Sequence, residues 1–117
     1  LPGVFVIRVF HMTPDEEKNA PTLHDALRPG YHHIILLDTA TQGGQDGGSG
    51  VSFNWSHVSN IPVPFLIAGG LTPENVQEAL TQSLAAGVDT SSGVETEGQK
   101  DTAKITAYVE NARRVLS

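Results

Sequence analysis

Four short apolar runs, each followed by a stretch with helical signals, constrain this chain more than any other feature of it. They are Val4 to Phe10 (VFVIRVF), His33 to Asp38 (HIILLD), Phe65 to Ala68 (FLIA) and Gly87 to Asp89 (GVD). The first is rich in β-branched and aromatic residues, the composition of a strand. Near-continuous apolar runs suit strands buried on both faces of a parallel sheet. Helices fill the intervals. Thr13-Pro14-Asp15-Glu16 predicts a helix start with Thr13 as N-cap. Pro21 should end that helix by removing a backbone bond, leaving Thr22 to Leu27 as a second short helix closed by Arg28-Pro29-Gly30. Asn54 or Ser56 caps a short helix reaching Asn60. Val76, Ala79, Leu80 and Leu84 give one apolar face to a helix running from Thr72 to Leu84. Asp101 or Thr102 opens the last helix, with Ile105, Tyr108, Val109, Ala112 and Leu116 as its buried stripe. Arg113 and Arg114 fall in its final turn, where cations suit the helix dipole.

Strict alternation of this kind implies an α/β fold with parallel strands and right-handed crossovers. Four β/α units make either half of a (β/α)8 barrel, which is about 250 residues when complete, or a small open sheet. Either arrangement binds ligands at the carboxyl edge of its strands. The 117 residues are enough for one domain, and 38% hydrophobic with 17% charged residues reads as globular. The first residue is Leu1 rather than Met, which suggests that the chain is part of something longer. A net charge of −6 argues against nucleic acid or an anionic membrane as the main partner. The absence of cysteine excludes disulfides and thiolate metal sites and favours an intracellular, cytoplasmic origin.

The polar residues that carry chemistry gather at the strand ends. Pro64-Phe65-Leu66-Ile67-Ala68-Gly69-Gly70-Leu71-Thr72-Pro73-Glu74-Asn75 runs from a buried strand through two glycines into a helix start. Such a junction presents bare backbone amides and a helix N-terminus to one spot, which favours an anion such as phosphate. Gly87-Val88-Asp89-Thr90-Ser91-Ser92-Gly93-Val94-Glu95 repeats the device with hydroxyls added. In a complete barrel the loops after the last two strands form the phosphate site. Asp38 stands at the tip of the second strand, ahead of the glycine-rich Gly43 to Gly50, which reads either as a linker or as a functional loop. Arg8 has two readings, a cation paired with a carboxylate at the sheet's end or a ligand-facing cation at a barrel mouth. His11, His24, His32, His33 and His57 show no metal-ligand spacing and read as structural. Asp46 and Glu95 read as solvated loop charges.

Four segments together are specific. Leu36-Leu37-Asp38-Thr39, Gly47-Gly48-Ser49-Gly50 with Phe53-Asn54-Trp55, Ala68 to Val76, and Val88 to Glu95 resemble phosphoribosylanthranilate isomerase in order, spacing and placement. The resemblance runs through essentially the whole chain, but only onto the C-terminal half of that family's barrel, strands five to eight. It implies a (β/α)8 barrel family fold and a cofactor-free, metal-free Amadori rearrangement in tryptophan biosynthesis. The substrate implied is N-(5-phosphoribosyl)anthranilate. The general acid that protonates the ring oxygen falls on Asp38. Gly48, Gly50, Gly69, Gly70, Ser91, Ser92 and Gly93 match the substrate and phosphate cradle, and Asp89 matches a substrate contact.

The departures bear on activity. The family's general base is a cysteine on its first strand, and this chain contains neither that strand nor any cysteine. The family's ligand-binding arginine from the second strand's loop is also absent. Asn54 replaces the usual Asp before Trp, and Thr90 a usual apolar residue. The isolated chain is therefore expected to be inactive and to need the N-terminal half barrel, in cis or in trans, or to self-associate. Two other readings stand beside this one. One is another phosphate-binding barrel such as indole-glycerol-phosphate synthase, whose catalytic Glu after a strand has no evident counterpart here. The other is a non-catalytic phosphate-binding or assembly module.

Overall fold

The structure, a computed structural model, describes residues 3, 5–28, 33–39 and 53–116. The glycine-rich segment, with Gly48 and Gly50, lies outside the described residues, as do Pro29, Gly30 and His32. Four strands form one sheet in sequential order: β1 (Ile7–His11), β2 (Ile34–Asp38), β3 (Phe65–Ala68) and β4 (Gly87–Asp89). All three neighbouring pairs are parallel, as the alternation of strand and helix signals requires. Helix α1 (Glu16–Ala26) follows β1, α2 (Val76–Ser83) follows β3, and α3 (Thr102–Leu116) closes the chain.

The register fixes which side chains share a face. Phe10, Ile35, Leu37, Phe65 and Ile67 point to one side and join Ala26, Val58, Leu71, Val76, Ala79, Leu80, Tyr108 and Ala112 in the core. The opposite face carries Ile7, Val9, Leu36 and Leu66, and there Ile7 is 46% exposed and Val9 49%. The strands therefore alternate between buried and open positions. Continuous apolar runs predict burial on both faces, but the described residues cover only one.

Several boundaries differ from those the sequence predicts. Strand β1 begins at Ile7 and extends to His11, and Phe5 instead stacks on the His33 ring with centroids 4.8 Å apart. Helix α1 runs straight through Pro21. The bond that Pro21 cannot donate would have gone to the carbonyl of Glu17, an exposed first-turn residue whose oxygen can turn to water. Its N-cap is Asp15, whose carboxylate accepts from the amides of Glu17 and Lys18 at 3.0 and 3.4 Å, while Thr13 ties the preceding turn to Asn19. Arg8 lies on the helix-covered side, pairs with Asp25 at 3.5 Å and sits over the Phe10 ring. That supports the structural reading and overturns the ligand-facing one.

Asn54 caps the 3-10 turn Trp55–Val58 by accepting from the Ser56 amide at 3.1 Å. Helix α2 starts at Val76, one turn later than predicted, because Asn75 first closes the loop. Its side chain accepts from the Thr72 amide at 2.7 Å and donates to the Gly70 carbonyl at 2.9 Å. Between β4 and α3 the chain forms a 3-10 turn, Ser92–Val94, and then a hairpin of β5 (Glu95–Thr96) and β6 (Gln99–Lys100) that the sequence reading misses. Asp101 caps α3 through the amides of Ala103 and Lys104. Of the predicted α3 stripe only Tyr108 and Ala112 are buried, while Ile105, Val109 and Leu116 are 39%, 44% and 45% exposed.

Candidate functional site

Parallel pairing brings the carboxyl ends of β2, β3 and β4 into one row, since Asp38 is in register with Ala68 and Ala68 with Asp89. A cleft of about 230 Å³ opens there, lined by Asp38, Ala68, Gly69, Gly70, Asp89, Thr90, Ser91 and Ser92. Six predicted site residues thus meet in one place: Asp38, Gly69, Gly70, Asp89, Ser91 and Ser92. They come from three successive strand ends, which is how an α/β sheet builds a ligand site.

Gly69 and Gly70 have φ of 101° and 69°, a region in which side chains are strained. The turn needs glycine for its path and leaves that rim of the cleft without side chains. Gly93 lies just behind the cleft. A Cβ there would stand 1.8 Å from the Leu71 carbonyl oxygen and 2.6 Å from Thr90 Oγ1. Its small size lets the two junctions close on each other, and Thr90 Oγ1 welds them by donating to Leu71 O at 2.7 Å. Thr90, a departure from the resembled pattern, therefore has a structural task that an apolar residue could not perform.

Asp38 has a side chain 29% exposed and faces the open side of the sheet. Beside it in register is His11, with Nδ1 3.4 Å from Asp38 Oδ2. Histidine spacing along the sequence holds no trace of this, because the contact runs between neighbouring strands. The floor is held by Thr39, whose amide and hydroxyl both donate to the Ala68 carbonyl, at 2.7 and 2.9 Å. At the opposite rim Lys100 reaches from β6 to Ser91, donating to its carbonyl at 3.0 Å and its Oγ at 3.1 Å. Lys100 also pairs with Glu95, so Glu95 is an ion-pair member rather than a solvated loop charge. Tyr108, 7% exposed, has its hydroxyl pKa pushed up by burial and, secondarily, by the charge of Asp89. Its hydroxyl has no hydrogen-bond partner among the described residues and stays protonated at neutral pH. Among the described residues no three His, Asp or Glu side chains converge as a metal site would require.

A parallel sheet covered on one face by the described residues, with glycines, hydroxyls and carboxylates gathered at its carboxyl edge, is an α/β arrangement, and that edge is where such sheets bind ligands. The N-(5'-phosphoribosyl)anthranilate (PRA) isomerase family model matches residues 3–111, and the chain belongs to that family. It is 44% identical over 110 residues to N-(5'-phosphoribosyl)anthranilate isomerase of Stenotrophomonas maltophilia, covering 92% of this chain and 49% of the relative. It is 45% identical over 104 residues to the multifunctional tryptophan biosynthesis protein of Schizosaccharomyces pombe, covering 89% of this chain and 12% of that protein. The N-(5'-phosphoribosyl)anthranilate isomerase structure from Pyrococcus furiosus superposes with a TM-score of 0.73 at 31% identity, over 97% of this chain and 53% of the other. The phosphoribosylanthranilate isomerase of Thermotoga maritima gives 0.71 at 33% identity, over 96% and 53%. The chain thus spans about half the length of these single-function isomerases.

Proposed function

We propose that this chain is the C-terminal half of a phosphoribosylanthranilate isomerase barrel, carrying the phosphate cradle and the general acid. The observation that carries the reading is the meeting of Asp38 with Gly69, Gly70, Ser91 and Ser92 in one cleft. The sugar phosphate of N-(5-phosphoribosyl)anthranilate binds between the Gly69-Gly70 turn and the Ser91-Ser92-Gly93 segment, and the resemblance assigns Gly48 and Gly50 to the same substrate. Asp89 contacts the substrate from the end of β4. Asp38 protonates the ring oxygen, the C1–O bond opens to the imine, and loss of the C2 proton gives the enol that becomes the ketose. No cofactor or metal takes part in these steps. The C2 proton needs a base, and with no cysteine in the chain that group comes from the other half barrel.

The sequential strand order and the single covered face support the half-barrel reading. Sequential order β1-β2-β3-β4 is the strand order of a barrel, and the exposed apolar residues Ile7 and Val9 on the face opposite the core would lie inside one. The partner for that face is an N-terminal half barrel, in the same polypeptide or as a separate chain. No described helix is long and apolar enough to cross a membrane, and the lack of cysteine suits the cytoplasm.

Titrating the purified chain with reduced 1-(o-carboxyphenylamino)-1-deoxyribulose 5-phosphate and with inorganic phosphate tests the reading. A solved phosphoribosylanthranilate isomerase binds the first compound. Tighter binding of that compound than of phosphate is expected, with loss of the difference in Asp38→Ala. Equal affinities would mean a generic anion site.

A further inference from the structure

We infer that Lys100 is a positioning residue for phosphate binding, holding the Ser91 hydroxyl as a donor into the cleft. The inference rests on the phosphate-cradle reading given above. An ammonium group has three N–H donors. Lys100 Nζ has three acceptors within reach: Ser91 O at 3.0 Å, Ser91 Oγ at 3.1 Å and the Glu95 carboxylate. No N–H is left for a ligand, so Lys100 acts through Ser91 rather than by direct contact. Because Ser91 Oγ already accepts from the ammonium, its own O–H must donate elsewhere, and Ser91 lines the cleft. A hydroxyl polarised by a cation, whose own O–H meets no acceptor among the described residues, is suited to a phosphate oxygen.

The hairpin places that side chain beside Ser91. Glu97 and Gly98, with φ of 53° and 80°, make the two-residue turn that folds β6 back beside β5, and Glu95 and Lys100 face each other across the ladder. Lys104 secures the base by donating to the Glu95 carbonyl at 2.8 Å. Glu95 also offsets the ammonium charge at the rim of the cleft. A neutral Gln at 95 keeps an acceptor for Lys100 while removing that negative charge.

The test is titration of the chain and its variants with inorganic phosphate, followed by amide chemical shifts, with a thermal melt of each variant. Lys100→Met is expected to weaken phosphate binding about tenfold, the scale of one charge-assisted hydrogen bond, and Lys100→Arg to restore most of it. Ser91→Ala should weaken binding to a similar extent, and Lys100→Met should then cost less than twofold more in the Ser91→Ala background. Glu95→Gln should raise affinity about threefold in low salt and lower the melting temperature, a combination that a purely structural hairpin does not produce. Should Lys100→Met fail to fold, Ser91→Ala and Glu95→Gln carry the test. Unchanged affinity in the folded variants, or additive losses in the double variant, overturns the role of Lys100 and leaves the cradle standing. Absence of phosphate binding by the unmodified chain overturns both.

Discussion

His11 Nδ1 and Asp38 Oδ2 lie 3.4 Å apart on the open face of the sheet, as in-register neighbours at the tips of β1 and β2. Both are solvent-accessible, with side chains 76% and 29% exposed, so the pair adds at most about 1 kcal/mol to stability. Replacing His11 with Gln should therefore leave the denaturation midpoint nearly unchanged. Asp38→Asn is expected to behave differently according to what is measured. Asparagine keeps the shape but has no acidic proton, so stability and phosphate affinity should stay within about twofold of the unmodified chain. Turnover, measured with a relative's N-terminal half supplied as a separate chain, should fall about 100- to 10,000-fold, the usual contribution of a general acid. Retention of turnover would remove Asp38 from that role.

The glycines rank by what surrounds them. Alanine at Gly93 must push its methyl into the Leu71 carbonyl, which is backbone and cannot rotate away. A loss of about 3 kcal/mol is expected, read as a lower urea midpoint. Gly98 has open space and φ of 80°, so Gly98→Ala meets only backbone strain, of order 1 kcal/mol. If the two variants unfolded at the same urea concentration, the close approach of the two junctions at Gly93 would be wrong.

Much of the cleft was legible in the sequence because parallel alternation forces every strand's carboxyl end to one edge. Once four β/α units are read, Asp38, Gly69-Gly70, Asp89 and Ser91-Ser92 must be neighbours wherever the exact boundaries fall. What stayed hidden has local physical causes. The contact of His11 with Asp38 depends on register between strands, which no single segment encodes. The β5–β6 hairpin has two-residue strands and turns on Glu97 at φ 53°, a position where Asn or Gly would have signalled the turn. Lys100 was invisible for the same reason. Periodicity identified the α3 stripe, but spacing cannot reveal whether anything covers Ile105, Val109 and Leu116. Pro21 misled because an exposed first-turn carbonyl gives up its helix bond at little cost.

Asp101 makes the stability of the α3 start depend on pH. Its carboxyl pKa lies below the usual 3.8, chiefly through the hydrogen bond from Thr96 and then through the Lys104 amide. A depressed folded pKa means that the native state favours the carboxylate. The stabilisation is fully present above the unfolded value and disappears as pH falls through the lower folded one. Asp101→Ala should therefore lower the melting temperature at pH 6, with the gap to the unmodified chain closing progressively below pH 3.8. A gap that stayed constant down to pH 2 would mean that the carboxylate form does not matter for the cap.

The open face offers the sharpest separation between folding and assembly. Val9 is 49% exposed, at the middle of the edge strand β1, beside Leu36 in register. An aspartate there loses little burial in the isolated chain, so Val9→Asp should change its stability by less than about 1 kcal/mol. In a closed barrel the same side chain points into a dry interior packed with apolar residues. An unpaired charge in that setting costs several kcal/mol. The expected result is a variant that folds as the unmodified chain does, yet no longer associates with an N-terminal half barrel in light scattering and gains no turnover from it. Val9→Leu, which keeps the apolar surface, should still associate. Equal association by Val9→Asp would show that this face is not the inside of a barrel, and the half-barrel reading would fall with it.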